Sequence, residues 1–246
     1  MPQIQERLKT DYNSAQGRDD FSSMPFNKKL KWIKRFYDKG GLISLQVNNW
    51  SEERKAGNKL TNILKTIKED LKTDTLVSSS VIGFYDSINK YSTKVIAREY
   101  TSKNIDSCLP CLNLLTGYNP MNIQKKGYEL LQNYSESNTT ETDSLISNLC
   151  QFYSSFDAII TTNNDMIKSE TLSNLNFYKK QNWFIPWMKG ELTNEMRDFF
   201  GDSQDYKNRV AGNNILATNN HQAYIKVYKQ NAIELLKQIN VRLKED

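Results

Sequence analysis

Apolar residues recur at intervals of three and four along almost the whole chain, and convincing apolar–polar alternation is nearly absent. A helix with one buried stripe requires the first pattern, and a half-buried strand the second. The periodicity therefore predicts an all-α fold, an irregular bundle of about eight or nine helices. At 246 residues the chain is long enough to bury a sizeable core. Its hydrophobic share is only 38%, so the 13 Tyr, 10 Phe and 4 Trp must supply much of the packing volume.

The first helix begins at Ser23 as N-cap, carries Pro25 in its opening turn and stops at Gly40-Gly41. Another starts after Trp50, with Ser51 as cap and Glu52 and Glu53 in the first turn, and buries Leu60, Ile63, Leu64, Ile67 and Leu71. Between them Ile43, Leu45 and Val47 alternate briefly, the best strand candidate, read as extended connection or a third helix because one strand makes no sheet. Further helices fit Thr75 to Tyr91, a start near Ser107, another near Pro120, a strong one capped by Thr142, then Asp165 to Lys180 and Thr193 to Phe200. A long helix from Asn220 to Lys244 closes the chain. Ser135 to Thr142 is polar and is the best linker candidate. It would join an N-terminal helical lobe over 1–134 to a C-terminal helical lobe over 143–246 within one compact body.

The net charge of +5 arises early, with about 15 Lys/Arg against 9 Asp/Glu up to Lys72. Lys28, Lys31, Arg35 and Lys39 recur at helical spacing, with Trp32 beside them. Such neighbours form a contiguous cationic ridge able to hold lipid phosphates or an acidic protein patch. A pI near 8.9 is below that of a dedicated nucleic-acid-binding domain. Met1 to Ser14 is polar and shows no secretory signal, and the longest apolar runs fall far short of a bilayer span.

Trp183-Phe184-Ile185-Pro186-Trp187-Met188 lies between Lys179-Lys180 and Lys189. Pro186 interrupts a helix, so the segment reads as a loop whose Trp183 and Trp187 either plug the bundle or anchor a partner. Trp187-Met188-Lys189-Gly190-Glu191 fits W-x-x-x-E. Across those five residues the chain resembles bacterial type III effectors that act as exchange factors for Rho-family GTPases, which implies guanine-nucleotide exchange on small GTPases.

Cys108-Leu109-Pro110-Cys111 opens a helix, where the dipole would favour a thiolate. Three cysteines make no disulfide framework, so a reducing compartment and a core-facing thiol pair are the expectation. His221, the single histidine, would sit neutral at a helix start and is the only side chain able to act as imidazole base for Cys108 or Cys111. Glu191, Glu195, Asp198 and Asp202 follow one another at helical spacing as an acidic ridge. P-loop, dinucleotide-binding, zinc-protease and nucleophile-elbow signatures are missing, and no metal or cofactor is indicated.

These features point to a non-enzymatic helical interaction protein, cytoplasmic, of a kind that a bacterium delivers into a host cell as an effector. It would bind a protein partner or an anionic membrane through Lys28, Lys31, Trp32, Arg35 and Lys39, with Trp183 and Trp187 as anchors. The alternatives are the exchange factor and a cysteine-dependent hydrolase or transferase using Cys108, Cys111 and His221.

Overall fold

A computed structural model describes residue 28 and residues 42–135 and 143–245. The fold is all-α, and no strand occurs among the described residues. Six α-helices are present among them instead of eight or nine: the helices expected after Trp50 and from Thr75 are one, as are those expected from Thr142 and Asp165, and the helix expected from Ser23 to Gly41 lies, but for Lys28, outside the described residues. The six are α1 (Leu42–Ile96), α2 (Lys126–Ser135), α3 (Ser144–Tyr178), α4 (Phe184–Lys189), α5 (Asn194–Asp202) and α6. The last runs unbroken through Gln204–Asn214, a π-helical segment Ile215–Gln222 and Ala223–Glu245.

The chain divides into compact units Met1–Lys59 and Leu60–Asp246. Of the first, Lys28 and the α1 residues up to Lys59 are described, and the strand candidate Ile43–Val47 is helical. In the second, α2 and α3 pack on each other. α3 is capped by Asp143, one residue beyond the expected Thr142, its carboxylate accepting the Leu145 N–H at 3.0 Å.

α1 contributes Ile63, Leu64, Ile67, Leu71, Val81, Tyr85 and Val95 to the core of this unit. Its stripe passes through Asp74 and Ser78, also fully buried, which is why the helix does not break at the polar run Lys72–Thr75. The Asp74 carboxylate accepts the Gln124 N–H at 3.1 Å and the Tyr228 hydroxyl, while the Ser78 hydroxyl donates to the Asp74 carbonyl at 2.6 Å. Thr73 likewise donates back to the Glu69 carbonyl at 3.0 Å, within the helix. Tyr228 ties three helices: its hydroxyl meets α1, and its ring packs on Phe152 and Phe156 of α3 at 4.8 and 5.4 Å.

α2 approaches α1 backbone to backbone. A Cβ on Gly127 would lie 2.6 Å from the Ile67 nitrogen, so only glycine fits. Asp70 accepts the Gly127 N–H at 2.7 Å and so satisfies one of the open donors at the start of α2.

The π-helical segment replaces the expected start of a helix at Asn220. Its Gln222 amide donates to the Ile82 carbonyl at 2.9 Å and to Asp86 at 2.7 Å on α1. His221 is fully buried, its ring edge-on to Tyr85 at 5.2 Å.

Candidate functional site

The residues after α1 form short 3₁₀ turns, Ile105–Ser107 and Leu109–Asn113, instead of the helix expected near Ser107. Cys108 and Cys111 are joined by a disulfide and are 1% and 0% exposed. This corrects the expectation of free thiols. Spacing alone does not distinguish a reduced pair from a bonded one, and here the 3₁₀ turn sets the two Cα atoms 5.3 Å apart, within bridging range. Around the bridge pack Val95, Ile105, Leu114, Leu115, Tyr178, Trp183, Phe200 and Tyr206.

On this aromatic body sits α4. Pro186 occupies its first turn, where the missing N–H removes no helical bond, so a helix forms where a loop was predicted. The helix ends at Gly190, whose φ of 73° suits glycine. The Gly190 N–H donates to the Trp187 carbonyl and the Glu191 N–H to the Pro186 carbonyl, closing the end.

The two faces of α4 differ sharply. Trp183, its N-cap, is 5% exposed and meets Tyr178, Phe199 and Phe200 at 5.1, 5.2 and 5.4 Å. Trp187 is half-buried against Tyr178, and its indole N–H donates to the Leu112 carbonyl at 3.2 Å. Both rings therefore plug the bundle, and Trp183 is unfit as a partner anchor. Their aliphatic neighbours face outward instead: Ile185 and Met188, one turn apart, are each 65% exposed. Leu109, one 3₁₀ turn from Leu112, is 71% exposed. Lys179, Lys180 and Lys189 are exposed beside α4, and Thr171 to Gly190 contains no carboxylate.

A rigid, aromatic-backed knuckle thus presents two aliphatic side chains within a lysine collar. Sequence reasoning missed Ile185 and Met188 because Pro186 suggested a loop. Read as a helix, the i, i+4 spacing of the tryptophans and the i, i+3 spacing of Ile185 and Met188 would have separated the faces.

The other candidates fall as follows. Lys31, Trp32, Arg35 and Lys39 lie outside the described residues, and Lys28 is helical and exposed. Neither ring nitrogen of His221 has a hydrogen-bond partner, and burial lowers its pKa from 6.5 to about 4. With Cys108 and Cys111 bonded to each other, no thiol–imidazole pair is formed from these three residues. Cys150 is a free, half-buried thiol whose pKa burial raises. Glu191, Glu195, Asp198 and Asp202 are exposed, and hydrogen bonds from the Ser102 side chain and, at 3.3 Å, from the Ser102 N–H hold the Asp202 carboxyl below the usual range. Among the described residues no three His, Cys, Asp or Glu side chains gather as metal ligands. A groove of about 420 Å³ between α3 and α6 and one of about 570 Å³ beside Lys180 and Arg209 are open, and neither is lined by histidine, cysteine or aspartate.

Comparison with protein-family models, curated proteins and solved structures finds no match. In the W-x-x-x-E-like stretch, Trp187 is bound to Leu112 and the Glu191 N–H closes α4, so both positions serve the local structure of the knuckle.

Proposed function

We propose that this chain is a helical, non-enzymatic docking protein that attaches to an anionic lipid surface through the α4 knuckle. The exposure of Ile185 and Met188 at 65% each, on a helix fixed by buried tryptophan, carries the reading. Aliphatic side chains at a headgroup boundary gain burial, and Lys179, Lys180 and Lys189 add attraction to anionic lipid of about 1 kcal/mol each. The outward aliphatic pair beside lysines suits a headgroup boundary, where apolar and cationic groups are taken up together. No described helix is long and apolar enough to cross a membrane, so attachment would be peripheral. The basic stretch Lys28, Lys31, Trp32, Arg35 and Lys39 would supply a second cationic contact.

Flotation with phosphatidylcholine vesicles, with and without phosphatidylserine and a phosphoinositide, tests this. The protein is expected to float only with the anionic vesicles. Ile185→Asp with Met188→Asp should abolish flotation, and each Lys→Glu change at 179, 180 or 189 should weaken it about fivefold or more. Lys31→Glu with Arg35→Glu measures the share of the early basic stretch. No flotation of the parent protein, or full flotation of the Ile185/Met188 variant, overturns the proposal.

A further inference from the structure

Three side chains from distant parts of the second unit converge on one turn. The Tyr206 hydroxyl donates to the Cys111 carbonyl, the Trp187 indole to the Leu112 carbonyl at 3.2 Å and the Asn213 amide to the Leu114 carbonyl at 2.8 Å. Short 3₁₀ turns leave carbonyls without local partners, and here the start of α6 and the tryptophan of α4 fill that need. The disulfide closes the same turn from inside, with Cys108 and Cys111 in the aromatic core and Leu109 and Pro110 outside. We propose that Cys108–Cys111 is a redox latch: bonded, the turn holds its carbonyls where Trp187 and Tyr206 reach them; reduced, the turn releases α4.

The reason is steric. Two sulfurs freed from a covalent bond must part to van der Waals distance, and both lie buried in a cluster with Val95, Ile105, Leu114, Leu115, Tyr178 and Tyr206, where added volume is costly. Leu109 and Pro110 are the turn's exposed side, so a shift in that direction meets the least protein and would carry the carbonyls of Cys111 and Leu112 away from their donors. The reductant is a dithiol. One of its thiolates attacks a cysteine sulfur, the S–S bond breaks and the other cysteine leaves as thiolate. The second thiol of the reagent then displaces the first cysteine and departs as a cyclic disulfide. Two electrons pass to the protein, and two protons end on the Cys108 and Cys111 thiols. Because both sulfurs are buried, attack waits on local opening of the turn.

The test is native-state trypsin cleavage of the full chain, oxidised and after dithiothreitol, with thiols counted in denaturant. One reactive thiol, Cys150, is expected before reduction and three after. Cleavage after Lys189 should accelerate about tenfold on reduction while cleavage after Lys237, on the far part of α6, keeps its rate. Cys108→Val with Cys111→Val, which keeps two bulky groups at van der Waals distance without a bond between them, should match the reduced protein and serves where dithiothreitol does not reach the bond. Three thiols before reduction, equal rates at Lys189 in both states, or a parallel rise at Lys189 and Lys237 overturns the latch. So does failure of both the reduced protein and the double variant to fold, since the bond would then be a folding requirement. The link to membrane attachment rests on the docking proposal and is read separately: reduction should lower flotation with anionic vesicles. Absence of flotation by the oxidised protein overturns docking, while the thiol count, the cleavage rates and folding decide the latch.

Discussion

Asp74 and His221 are both fully buried on the seam between α1 and α6, and in each burial disfavours the charged form. Burial outweighs the Tyr228 and Gln124 donors at Asp74 and raises its pKa from 3.8 to about 6. The folded state therefore binds a proton more tightly than the unfolded chain, and this group adds stability as pH falls from about 6 toward 3.8. Two pKa units correspond to roughly 3 kcal/mol. His221 works in the opposite sense: its folded pKa, about 4, lies below the ordinary 6.5. Between those values the unfolded chain takes up a proton that the folded state refuses, and stability of similar size is lost as pH falls. The two effects nearly cancel in the parent protein. Urea unfolding at pH 6.5 and pH 4.5 should show His221→Phe gaining stability on acidification relative to parent and Asp74→Asn losing it. Parallel pH profiles for all three proteins would refute the assignment.

The junction of α2 with α1 depends on one missing side chain. Gly127→Ala places a Cβ against the Ile67 backbone, which cannot yield as a flexible side chain could, so a loss of about 2 kcal/mol or more is expected in urea unfolding. Gly83→Ala, exposed on α1 with nothing within 4 Å of the added carbon, should instead stabilise by about 0.5–1 kcal/mol. How far the helices were legible follows from where their stabilising partners lie. The stripes of α3 and α5 and the Thr193 cap, whose side chain accepts the Met196 N–H at 3.3 Å, are local signals and were readable. Continuity of α1 through Asp74 was not, because Gln124 and Tyr228, which make a carboxyl tolerable there, are distant in sequence. Likewise Pro186 was read as a breaker, although as a first-turn residue it costs α4 nothing. The disulfide and the fully buried histidine were out of reach for the same reason: spacing shows neither the bridge nor the burial that the core imposes.

Ion pairs among the described residues of the second unit lie at its surface, each with both side chains at least 25% exposed. Such pairs contribute little and are screened by salt, whereas the core rests on buried aliphatic side chains and on edge-on rings around Tyr178, Phe199 and Phe200. Raising sodium chloride from low to molar concentration should therefore change the urea-unfolding free energy by less than about 1 kcal/mol. A large loss would assign the stability to charge instead. The aromatic share of this core was foreseen from composition, the 13 Tyr, 10 Phe and 4 Trp supplying packing volume beside the aliphatics.

The convergence of Tyr206, Trp187 and Asn213 on the carbonyls of Cys111, Leu112 and Leu114 has a consequence for biosynthesis. Those donors are translated 75 to 99 residues after their acceptors, so the nascent turn emerges bare while its covering elements are still on the ribosome. An oxidising catalyst can reach both sulfurs during that interval and only with difficulty after the chain closes over them.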